Sequence, residues 1–160
     1  MPAIESELIT AGEDYRLRCE AMQKALDEFR AAEEQVAATE RGAKEKFVKR
    51  GKLLPRERID KLLDPGAPFL ELMSLAGRKM HDDRDGSTAG GGVISGIGYV
   101  GGIRCLVTAS NSAIKGGTIA PAGLHKSLRL LEIARQNKLP IVALAESGGA
   151  NLNYATDVFV

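Results

Sequence analysis

The sequence predicts an α/β fold entered through an N-terminal helical arm. Three observations carry that expectation. A charged stretch with helical spacing occupies residues 13–50. Two strand-like runs, a helical run and a third strand-like run follow one another between Val93 and Ala145. The glycines, 18 in 160 residues, lie mostly after residue 85, where short elements would need sharp turns.

Composition removes several classes of function. A net charge of +1, with 27% charged residues and no patch mixing lysine with aromatics, leaves no footprint for nucleic acid. No stretch approaches the ~20 apolar residues of a membrane span. Met1 to Gly12 carries glutamates and no apolar core of a secretory signal. Cys19 and Cys105 are isolated thiols, too few for a zinc site, and fit a reducing compartment. The expected location is the cytoplasm, with no metal and no membrane.

Along the arm, Leu17, Met22, Ala25, Leu26, Phe29 and Val36 form one narrow apolar stripe. Such a helix buries little alone. It either packs on another domain or subunit, or is an ordinary surface helix. The stretch from Arg50 to Gly66 predicts a short helix opened by Pro55 and stopped by Asp64-Pro65-Gly66. Leu54, Ile59, Leu62 and Leu63 make its apolar face, and Arg56, Arg58 and Lys61 its wet one. Arg50, Lys52, Arg56 and Arg58 are either solvated charges or contacts for an anionic ligand or partner. The expected division is an arm and capped helix at 1–66, followed by a domain at 67–160. In the polar loop 79–92, His81 beside Asp82 and Asp83 hints at a metal. With no second histidine nearby, a solvated loop is the expectation.

The strand-like runs Val93–Val100 and Ile103–Ala109 flank Gly101-Gly102, which suits a tight hairpin. A polar loop with Lys115-Gly116-Gly117-Thr118 follows. The helix expected from Pro121 to Asn137 shows Leu124, Leu128, Leu131, Ile133 and Ala134 as its apolar side. Ile141–Ala145 is an apolar strand running into Glu146-Ser147-Gly148-Gly149-Ala150. A return to a parallel strand through a helix should be right-handed.

Four readings of that glycine pair stand on the residues alone. Ser147 as a nucleophile lacks the first glycine of Gly-x-Ser-x-Gly, and neither His81 nor His125 sits in a motif marking it as a base. A phosphate loop needs more glycines followed by Lys and Ser or Thr. A purely steric turn needs nothing more. An oxyanion hole would aim the two glycine amides, helped by a helix dipole, at a carbonyl oxygen in an open cleft.

Arg50-Gly-Lys-Leu-Leu-Pro-Arg-Glu-Arg-Ile-Asp-Lys-Leu-Leu-Asp-Pro-Gly66, Lys115-Gly-Gly-Thr118 and Glu146-Ser-Gly-Gly-Ala-Asn-Leu152, in this order, resemble the carboxyltransferase (beta) subunits of biotin-dependent acyl-CoA carboxylases. The likeness is to the methylcrotonyl-, geranyl- and propionyl-CoA enzymes. It runs from about residue 20 to the end of the chain. The resemblance implies a crotonase-like superhelix of strand-strand-helix units, here incomplete. It also implies acyl-CoA as substrate, carboxybiotin on a partner biotin carboxylase or carrier subunit, and a homo-oligomer. Carboxyl transfer would pass through an enolate of the acyl group.

Carried over, Gly148 and Gly149 match the glycine pair that holds the thioester oxyanion, with Ser147 and Ala150 on either side. Gly116 and Gly117 match the glycine pair of the CoA-side loop, and Lys115 and Lys126 are assigned to CoA phosphates on charge. The absence of a four-cysteine cluster separates the chain from the zinc-bearing subunits of bacterial acetyl-CoA carboxylase. Family members carry a second crotonase-like domain that completes the site, so the 160-residue chain alone is expected to be inactive. The alternative is a non-catalytic remnant or assembly piece that binds partner subunits through the arm.

Overall fold

The computed structural model describes residues 9–158. Helix α1 (Glu13–Gly42) breaks at Ala43 and continues as α2 (Lys44–Val48). Helix α3 (Pro55–Leu62) begins with proline at its first position. There the Glu57 carboxylate reaches back to accept the Leu54 N–H at 2.9 Å.

Strands β1 (Leu70–Glu71), β2 (Val93–Val100), β3 (Ile103–Ser110) and β4 (Ile141–Leu144) form one sheet in that order. The first two pairings are antiparallel, and β3 with β4 is parallel across helix α4 (Pro121–Gln136). The strand-strand-helix-strand order is the one expected. A last short helix, α5 (Ala155–Val158), follows the glycine pair.

The hairpin turn follows from backbone chemistry. Gly101 and Gly102 both take positive φ, 59° and 76°, as a two-residue hairpin requires. Both of their amides donate to the Asp64 carboxylate, each at 2.7 Å. The aspartate that ends α3 therefore also closes the neighbouring hairpin.

The sheet is covered on both faces. Alternation along β3 sends Cys105, Val107 and Ala109 towards Ile59 of α3, and Leu106 towards Leu130 and Ala134 of α4. Helix α3, grouped with the arm in the sequence reading, thus belongs to the sheet's core. Only the C-terminal third of α1 is packed, through Ala32, Val36 and Glu40. Val36 meets Ala89 and Ile114.

The buried face of α4 differs from the one expected. Gly123, Lys126, Leu130 and Ala134 are buried, whereas Leu128 and Leu131 are exposed. Gly123 lies against the 90–92 turn so closely that a Cβ there would stand 2.2 Å from the Gly91 carbonyl oxygen. The helix is oriented by this close approach rather than by its largest side chains.

The 79–92 loop is built rather than merely solvated. Asp83 is buried and accepts the Lys79 and Thr88 amides and the Thr88 hydroxyl. Both cysteines are free, Cys19 exposed and Cys105 buried. Among the described residues, no helix is long and apolar enough to cross a membrane.

Candidate acyl-CoA site

The three sequence motifs meet at one place. Glu146, at the end of the apolar strand, accepts Lys52 Nζ at 2.6 Å and Arg58 Nη1 at 3.2 Å. The Lys52 ammonium holds its carboxyl below the usual carboxylate range. The two following residues are tied to the 115–118 loop. Ser147 Oγ donates to the Gly117 carbonyl, and the Gly148 N–H donates to the Gly116 carbonyl, both at 3.0 Å. Lys115, Gly116 and Gly117 all have positive φ, 47°, 65° and 69°, which makes the tight bend between Ile114 and Thr118. Ala150 closes the arrangement through a parallel bridge to Ile119.

Beside this junction lies a cavity of about 420 Å³. Lys46, Arg50, Lys52 and Lys115 line it, together with Glu146, Ser147 and Gly148. Four cations around one carboxylate give the rim a net positive charge, suited to phosphate groups. Among the described residues, Lys46 and Arg50 make no ion pair. That leaves their charge to the cavity.

The glycine amides do not stand free. The Gly148 N–H is taken by Gly116, and the Gly149 N–H donates to Ser147 Oγ at 3.0 Å. The Gly148 amide therefore fastens two loops together. Both glycines are exposed, but a Cβ on Gly148 would stand 3.0 Å from the Gly116 carbonyl oxygen, whereas Gly149 has φ 91° and no atom within 4 Å of a Cβ built on it. Only a local hydroxyl occupies its N–H.

Two charge assignments need correction. Lys126 is only 2% exposed, and its ammonium donates to the Gly90 and Val93 carbonyls at 3.1 and 2.5 Å. It is spent inside the protein, and burial lowers its pKa to about 8. Arg56, offered as a possible anion contact, forms a fork with the Glu71 carboxylate at 2.6 and 3.2 Å. Its own N–H donates to buried Glu40 at 3.1 Å. Lys115 remains exposed, with Nζ on the Asp82 carbonyl at 2.9 Å. Among the described residues, no group of three His, Cys, Asp or Glu is placed to hold a metal. His81 instead packs edge-on to Tyr154, its ring centre 5.5 Å away.

Sequence reasoning missed Lys46 and Glu146, whereas Arg50 and Lys52, read as possible contacts for an anionic ligand, do line the cavity. The available signal for Glu146 was an ionisable side chain at the end of an apolar strand, one residue before the glycine motif. For Lys46 it was its place four residues before Arg50 at the end of the helical arm.

The four-stranded sheet, covered by helices on both faces and ending in glycine loops, is part of a crotonase-like fold. The family model for the carboxyl transferase domain matches residues 46–159, and the chain belongs to that family. It is 50% identical over 117 residues to the Mycobacterium tuberculosis biotin-dependent 3-methylcrotonyl-coenzyme A carboxylase beta1 subunit, covering 73% of this chain and 22% of that one. Against the beta subunit of P. aeruginosa geranyl-CoA carboxylase, the TM-score is 0.89 at 61% identity, over 99% of this chain and 29% of that one. The transcarboxylase 12S structure aligns with a TM-score of 0.70 at 26% identity, over 86% of this chain and 28% of that one. The chain thus spans between a fifth and a third of the length of these relatives, and corresponds to an N-terminal part of carboxyltransferase beta subunits.

Proposed function

We propose that this chain forms the acyl-CoA-facing part of a carboxyltransferase that moves a carboxyl group from carboxybiotin to an acyl-CoA. The observation that carries the reading is the convergence of all three motifs on one cation-rimmed cavity beside an exposed glycine. Lys46, Arg50 and Lys115 receive CoA phosphates at the rim. The thioester oxygen replaces Ser147 Oγ as the partner of the Gly149 N–H, and this donor stabilises the enolate as charge develops. Gly148 acts one step back, holding the loop against Gly116.

The described residues fit the acyl-CoA side of the reaction: a cationic rim, and a glycine with open space where a side chain would stand. When present on its partner carrier, carboxybiotin supplies the carbon dioxide and a ring nitrogen that removes the acyl proton. No residue of this chain is assigned to hold the biotin. A biotin-carrying partner subunit and homo-oligomeric assembly belong to the same proposal, supported by the class of the relatives, and a cytoplasmic location belongs to it on the two free thiols.

Gly149→Val in the full carboxyltransferase tests the chemical half. A β-branched residue at φ 91° is strained and moves the amide. The expected outcome is a loss of about 10²–10³ in turnover with little change in CoA affinity. Unchanged turnover overturns the oxyanion role and leaves a CoA-binding module.

A further inference from the structure

Met22, Leu26, Phe29 and Val36 of the α1 stripe lie on one seam with two fates, while Leu17 falls outside its spacing and Ala25 stands beside it. Near its C-terminal end the seam residues face the body: Val36 and Glu40 are buried, and Glu33 accepts the Ser74 hydroxyl at 2.7 Å. Continuing towards the N-terminus with alternating steps of three and four, the same seam presents Phe29, Leu26, Met22 and Cys19. These four are exposed, Met22 at 62% and Phe29 at 48%. From Glu13 to Ala31 nothing on the helix is buried, a length of roughly 28 Å at 1.5 Å per residue. The packed interface therefore ends halfway along a seam that goes on.

Charge identifies what covers the rest. The positions flanking the free seam are Arg16, Arg18, Gln23, Ala25 and Arg30, with no carboxylate among them. The acids Glu20, Asp27 and Glu28 lie on the far side of the helix. Arg16 reaches only Glu13, at 3.5 Å on the open surface, while Arg18 and Arg30 make no ion pair among the described residues. A second copy of this helix brings no carboxylate to any flanking position, and run antiparallel it sets arginine against arginine. We infer that the N-terminal half of α1 docks a helix of another protein, one with an apolar seam flanked on both sides by glutamate or aspartate. Leu26 and Met22 supply the apolar contact, and the arginines select the partner by charge.

Two helical peptides of about 20 residues test this, each with leucine at the seam positions. One carries glutamate at both flanks and the other carries lysine. Binding to the chain is read by fluorescence anisotropy of the labelled peptides. The expected result is that the glutamate peptide binds about tenfold tighter or more, and that this advantage shrinks as salt rises from about 0.05 to 0.5 M. Met22→Glu with Leu26→Glu, both on the exposed part of the helix, abolishes binding while circular dichroism stays unchanged. Equal binding of both peptides, or binding of neither, overturns the inference. So does a concentration-dependent dimer of the chain that Met22→Glu with Leu26→Glu disperses, because the seam would then belong to a second copy.

Discussion

Gly149 and Lys126 show how much one backbone or one ammonium decides here. Gly149 keeps a positive φ, open space above it and an N–H held only by a neighbouring hydroxyl, so a carbonyl oxygen can take that hydroxyl's place. The loss of turnover expected in Gly149→Val measures the proposed donor. Lys126 is the opposite case, a cation used for architecture. Burial brings its pKa from 10.5 to about 8, so between those pH values the unfolded chain holds a proton that the folded chain has released. The contribution of this group to stability therefore rises with pH across that window, by up to about 1.4 kcal/mol per unit. In Lys126→Met this rise disappears, as urea unfolding at pH 8 to 10.5 would record. An identical slope in both proteins contradicts the burial of a charged ammonium.

At the scale of elements, Asp64 couples a helix end to a hairpin. Its carboxylate takes both turn amides, so Asp64→Ala leaves two N–H groups to water and lowers stability by about 1–3 kcal/mol. Thermal unfolding measures it, and an unshifted midpoint refutes the latch. The hairpin was legible beforehand because Gly-Gly between alternating strands has few other uses. Helix α4 was legible in its bounds, set by Pro121 and Pro140, but not in its face. Counting leucines selects Leu128 and Leu131, whereas a lysine and a glycine hold two of the buried positions. Periodicity cannot see that Lys126 finds two carbonyls, or that Gly123 is buried for closeness rather than hydrophobicity. The long arm was read as helical, and its packed third depends on contacts with loops 75 and 89, far away in sequence.

On the scale of the whole molecule, the site exists because segments some ninety residues apart share one carboxylate. Glu146 gathers Lys52 and Arg58, and the glycine loops then lock onto each other. The motifs were visible in the sequence, but their meeting point was not, since long-range ion pairs leave no local pattern. The 160-residue chain spans only 22–29% of the three relatives named above. Binding and turnover are therefore expected to separate: the chain alone binds CoA, whereas carboxylation needs the full carboxyltransferase.

Calorimetric titration of CoA into the chain, beside Arg50→Glu, tests the central claim most directly. Saturable binding in the unmodified protein, weakened about tenfold or more by reversing one rim charge, is the predicted result. No saturable binding, or equal affinity in Arg50→Glu, would mean that the cavity beside Ser147 and Gly148 is not where the CoA phosphates lie.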